Sequence, residues 1–172
     1  MSVDTTTTNE LNAIVAGVER ALTNEPAKAL EVFSARGTGT GRVSSTISSR
    51  TFTVSADEPP PLGVDEAATP VELALAGLIS CQIVTYRVWA EKLGIKFDDI
   101  EIAVDGDLDF RAFFGLDDSI RPGFTDVRAT VRLTGPETPE RYLELQQAVD
   151  AHCPVLDLLR NPTPVSLTLE VG

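Results

Sequence analysis

The chain has 172 residues, 42% of them hydrophobic and 23% charged, which suits one globular domain with its own core and excludes a disordered chain. Its 14 Lys and Arg against 26 Asp and Glu leave a net charge of −12. That charge repels nucleic-acid backbones and anionic membranes, so neither is an expected partner. The opening MSVDTTTTNE lacks a basic region followed by an apolar core, so no secretory signal is read there and a cytoplasmic protein is expected.

Residues 1–10 are polar and Thr-rich and read as a frayed tail. Leu11, Ile14, Val15, Val18 and Leu22 then fall at helical spacing, predicting an amphipathic helix that Asn24 and Pro26 stop. From Ala29 to Ala56 the pattern is β-rich, broken at Gly37–Gly41, with Phe52, Val54 and Ala56 alternating on one side. Asp57 to Ala68, with three consecutive prolines and Gly63, predicts a stiff loop.

Thr69 to Leu93 predicts one long helix, apolar almost all round from Leu73 to Val84. Thr69 can cap it, Pro70 fits its first position, and Glu72 completes a capping box. A helix without a polar face belongs in an interior, and an apolar run of about a dozen residues is too short to cross a bilayer. Gly94 is a stop signal. Ile100, Ile102 and Val104 alternate with acidic neighbours and predict a half-buried strand. An irregular loop follows, RAFFGLDDSIRPGF, within 105–124. Its Phe113 and Phe114 suit either an apolar substrate entrance or an interface between copies, and the interface is the simpler reading because it needs no ligand.

Val127, Ala129, Val131 and Leu133 predict a second strand, and Thr138-Pro139 opens another helix with Tyr142, Leu145 and Val149 on one face. Pro154 interrupts it, leaving a short helical piece from Val155 to Leu159. Val165, Leu167, Leu169 and Val171 predict a third strand. Strands with one dry face and helices that must be covered imply an α+β fold, an antiparallel sheet packed on a long buried central helix.

Two residues could carry thiol chemistry. Cys81 has Gly77, Leu78, Val84 and Thr85 one turn away, and apolar surroundings raise a thiol's pKa. A buried cysteine acting as a small hydrophobe is the plainer account of it. Cys153 precedes Pro154 and so occupies the N-cap position of the short helix, where unpaired N–H groups favour a thiolate. His152 is the only histidine; it reads as a helix-end residue, because adjacent side chains diverge. One histidine and two dispersed cysteines cannot furnish a structural zinc site or a hydrolase triad. The run from Arg36 to Gly41 lacks the Lys and following helix of a phosphate loop and suits a hairpin turn.

TPVELALAGLISC, the upstream DEPPPLG and the downstream AHCPVLDLLRNPTPV together resemble the osmotically inducible protein C (OsmC) and organic hydroperoxide resistance superfamily. The likeness spans roughly 30–172. It divides the chain into an N-terminal tail and helix over 1–28 and an OsmC-like domain over 29–172. It implies an intertwined homodimer with active sites at the subunit interface, needing neither metal nor flavin. Its active members reduce hydroperoxides, which makes Cys81 the peroxidatic thiol and Cys153 the resolving one, with a thiol or lipoyl-type dithiol as reductant. Such members also use an Arg held by a Glu. Arg42 resembles that Arg, with Arg50 the runner-up, but Val71 stands where the Glu would be. Glu72, one residue on, points away from Cys81 and reads as a capping residue. The missing Glu motivates an alternative, a catalytically altered OsmC-like dimer that binds a small apolar ligand.

Overall fold

The computed structural model describes residues 5–172. Helix α1 runs Thr5–Asn24, followed by a single 3-10 turn at Pro26–Ala29. Strands β1 (Arg36–Thr40), β2 (Ser44–Ser49) and β3 (Phe52–Ala56) precede the long helix α2, Pro70–Leu93. Then come β4 (Asp99–Asp107), a one-turn helix α3 (Phe110–Phe113), β5 (Asp126–Thr134), α4 (Pro139–His152) and α5 (Pro154–Arg160).

The ends of α2 are set by local chemistry. The Thr69 side chain accepts from the Glu72 backbone N–H, and the Glu72 carboxylate accepts from Thr69 N at 2.8 Å, a complete capping box. At the other end Gly94 adopts φ 63°, a left-handed cap that only glycine takes without strain. Although its fully apolar run is short, the whole helix is long and apolar enough by length and composition to cross a bilayer, which corrects the expectation. It serves instead as the beam against which α1, α4, α5 and β4 pack.

β1, β2 and β3 form an antiparallel meander in the order β1-β2-β3, while β4 and β5 pair antiparallel, with Ile102 opposite Val131 and Ile100 opposite Leu133. The core lies between this second sheet, the C-terminal half of α2, and α4. Tyr86, Ala90, Ile95, Leu145 and Val149 are buried there, with Trp89, Phe97, Ile100, Ile102, Val131 and Tyr142 packed around them. Leu145 and Val149 are wholly inaccessible, as expected for the apolar face of α4.

Several expectations are corrected. The antiparallel sheet is two separate sheets, and the break expected at Gly37–Gly41 is strand β1 itself, its turn falling at Gly41–Val43. Gly and Thr alternate there on an exposed edge strand, so no apolar residue marks it. Helix α1 begins at Thr5 inside the expected tail, since extending a helix once nucleated costs little; residues 1–4 lie outside the described residues. A single helical turn, α3, is capped by Asp109 within the expected loop. The central helix is covered on one side only: Leu78, Gln82, Thr85, Tyr86 and Ala90 are buried, whereas Val84 is 59% exposed. The stretch from Val165 to Val171 forms no strand, and its four apolar side chains are exposed. Its backbone groups find no ladder within the chain, which a strand requires.

Candidate active site

α2 and α5 pack against each other, and this contact brings the two cysteines together. Cys81 lies midway along α2 and is half-buried; Cys153 is the residue shared by the end of α4 and the start of α5, and is 2% exposed. Pro154 causes the juncture, because proline cannot continue α4 but fits the first position of α5. The extended backbone of Cys153, at φ −84° and ψ 112°, turns the chain between the two helices.

Both cysteines are free thiols, and Cys153 is near enough to influence the Cys81 thiol. Burial is the largest influence on the Cys81 thiol and pushes its pKa up. The backbone N–H of Val155 opposes this, the neighbouring Cys153 adds to it, and the Thr85 hydroxyl lowers it. The Thr85 hydroxyl also donates to the Cys81 carbonyl at 2.8 Å. The expected N-cap role of Cys153 takes a different form. Its side chain makes no capping hydrogen bond, and the first turn of α5 offers an N–H to Cys81.

No Arg or Lys among the described residues figures in the surroundings that shift the Cys81 thiol. Arg42 sits in the β1–β2 turn, exposed, and donates from Nη1 to the Pro61 carbonyl at 3.2 Å. Arg50 has a left-handed backbone at φ 54° and lies 5.0 Å over the Phe52 ring. Glu72 is engaged in the capping box, its pKa lowered by the Thr69 backbone and hydroxyl, as the helical geometry led one to expect. Val71 is 37% exposed.

Sequence reasoning missed the surroundings of His152. Its ring lies 4.1 Å from that of Trp89, inclined at 32°, and Nδ1 is 2.7 Å from the Ala148 carbonyl. Periodicity on α2 cannot reveal this contact, because the two residues stand on different helices. Phe113 packs edge-on against Phe110 and Phe114 at 6.3 and 5.0 Å, and all three rings remain exposed. No group of His, Cys, Asp and Glu side chains among the described residues could hold a metal ion.

The model of the OsmC-like protein family matches residues 63–168, more than half of the chain and the whole stretch that carries both cysteines. The chain belongs to the OsmC-like family. Solved structures bear out its fold. An OsmC-like protein from Mycoplasma pneumoniae superposes with a TM-score of 0.68 at 18% identity, covering 76% of this chain and 88% of the other. An organic hydroperoxide resistance protein from Elizabethkingia anophelis gives 0.60 at 22% identity, covering 76% and 89%. The organic hydroperoxide resistance protein OsmC from Legionella pneumophila gives 0.58 at 21%, covering 76% and 90%. No curated protein matches the sequence. α1 lies outside the matched stretch of this OsmC-like chain.

Proposed function

We propose that this OsmC-like protein is a thiol-dependent peroxidase that reduces organic hydroperoxides or hydrogen peroxide. The single observation that carries the reading is the nearness of Cys153 to the Cys81 thiol where α2 and α5 pack. The Cys81 thiolate attacks one peroxide oxygen, giving Cys81 sulfenic acid and releasing the alcohol or water. The Cys153 thiol then attacks that sulfur, forming a disulfide and expelling water. A thiol or lipoyl-type dithiol returns both cysteines to thiols, which suits the reducing cytoplasm. The sequence of steps calls on neither metal nor flavin.

The working form in this proposal is a homodimer. The chain exposes 12975 Å² of surface, against about 8,200 Å² for a compact monomer of its mass by surface scaling. The β1–β2–β3 sheet has no extensive packing against the helices, and Phe52 and Val54 on it are 62% and 46% exposed. The segment Val165–Val171 is likewise uncovered. An interface built from these surfaces could also bring the exposed Arg42, or Arg50, to the Cys81 thiol of the other copy and lower its pKa.

A second reading is favoured by Val71 and by the engagement of Glu72 in the cap. It is an OsmC-like dimer with altered chemistry that holds a small apolar ligand. Peroxide consumption separates the two. In the peroxidase reading Cys81→Ser abolishes consumption of cumene hydroperoxide, and one equivalent of peroxide leaves the parent with a Cys81–Cys153 disulfide by mass spectrometry. Undiminished consumption by Cys81→Ser would sink the peroxidase.

A further inference from the structure

The disulfide step makes a geometric demand that the rest of the fold must meet. Bridged cysteines need Cα atoms about 4.4–6.8 Å apart, with a narrow range of dihedral angles. Cys81 is fixed within a long helix, but Cys153 sits at a joint between two helices, one of only seven residues. A joint of that kind is the part of the site most easily displaced. What holds it is therefore of consequence for the reaction.

The residue immediately before the joint is His152, the last of α4. Its ring lies on Trp89, which belongs to the same helix as Cys81 and lies two turns further along it. The other end of the imidazole is tied back to α4 through Nδ1 and the Ala148 carbonyl at 2.7 Å. A carbonyl accepts only, so Nδ1 carries the hydrogen and the ring plane is set. Lys92 Nζ also stands 4.1 Å from the Trp89 ring centroid and 2.8 Å from Glu19 of α1. Trp89 thus contacts both a histidine from α4 and a lysine paired with the N-terminal helix.

We infer that His152 is a positioning residue for the redox pair: its stack on Trp89 pins the α4–α5 joint to α2 and keeps Cys153 in register with Cys81. The inference rests on the peroxidase reading for its purpose, but the register itself is measurable without peroxide. The step it serves is Cys81–SOH plus Cys153–SH giving the disulfide and water; His152 touches neither sulfur and takes no proton. Removal of the ring loosens the joint, lowers the effective concentration of one thiol at the other, and leaves the first attack on peroxide unchanged. A phenyl ring at the same position keeps the stack while lacking both nitrogens.

The test compares the parent, His152→Ala and His152→Phe as full-length proteins. Each is equilibrated in reduced and oxidised glutathione, and the Cys81–Cys153 disulfide is quantified by mass spectrometry. The worth of an aromatic pair corresponds to a fall of between about two- and about tenfold in the disulfide equilibrium constant for His152→Ala. His152→Phe is expected to recover most of it. Dimedone trapping after one equivalent of cumene hydroperoxide supplies the kinetic arm: equal initial oxidation of Cys81 in all three, with a longer-lived sulfenic acid in His152→Ala alone. An unchanged equilibrium constant in His152→Ala, or no recovery in His152→Phe, overturns the inference. If peroxide fails to oxidise Cys81 in the parent while the glutathione differences persist, the peroxidase reading falls and the positioning role stands.

Discussion

The sulfur of Cys81, midway along α2, neighbours that of Cys153 at the juncture of α4 and α5. Two helices distant in sequence converge on this pair, and the shorter one adds a backbone N–H from Val155 to the Cys81 side. Burial still dominates, so within one chain Cys81 stays a thiol above the ordinary range.

Substituting Cys153 separates attack from resolution. Cys153→Ser is expected to consume one equivalent of hydroperoxide and then stall, with Cys81 held as sulfenic acid and open to further oxidation. Dimedone labelling followed by mass spectrometry reads this directly. Continued turnover with a lipoyl dithiol at the parental rate would show that Cys153 does not resolve the intermediate.

In the proposed homodimer, Arg42 of one copy serves as the cation for the Cys81 thiolate of the other. The sign follows from charge: a nearby guanidinium favours the thiolate, so its loss lets burial raise the Cys81 pKa further. Arg42→Gln therefore moves the pH dependence of Cys81 alkylation by iodoacetamide to higher pH. It also slows peroxide reduction at neutral pH by about tenfold for each pKa unit gained, since only the thiolate reacts. An alkylation profile identical to the parent's would pass the role to Arg50.

Asp57 is a buried carboxylate that accepts backbone N–H groups of Val64 at 3.1 Å and Glu66 at 3.2 Å, closing the loop that leads into α2. Gly63 lies so close that a Cβ there would overlap the Glu58 carbonyl oxygen. These N–H donors, those of Glu58 and Glu66 foremost, lower the Asp57 pKa. A lowered folded-state pKa gives stability that is complete above the unfolded value, about 3.9, and is lost as pH falls through the folded one. Asp57→Asn should therefore melt at a lower temperature than the parent at pH 7, and the difference should shrink below about pH 4. Melting curves at both pH values check it.

Leu145 is wholly inaccessible at the centre of the α2–α4 core. Leu145→Ala removes its packing and leaves a cavity, at an expected cost of about 2–5 kcal/mol. Urea denaturation reads the loss as a lower midpoint with an unchanged slope. A cost below about 1 kcal/mol would mean that α4 collapses to fill the space.

Much of this fold is legible where the signal is local. Thr69, Glu72 and Gly94 mark the ends of α2 by capping chemistry, and Pro154 marks the break between α4 and α5. β4 and β5 follow from alternation because one face of each is half-buried within the chain. The failures have another origin. β1 is exposed along its whole length, so its Gly and Thr residues carry no burial pattern. Val165 to Val171 alternate as a strand should, yet alternation records only that one face wants covering. At the site the two cysteines are legible from flanking motifs, whereas the Trp89–His152 stack depends on how α2 and α4 cross.

The meander of β1, β2 and β3 makes no extensive contact with the helices of its own polypeptide. In the proposed homodimer the other copy steadies it, and mass action then enters the thermodynamics. The melting temperature becomes a function of dilution: a hundredfold thinner solution should unfold sooner on heating. Any thermal measurement on this protein is thus also a titration.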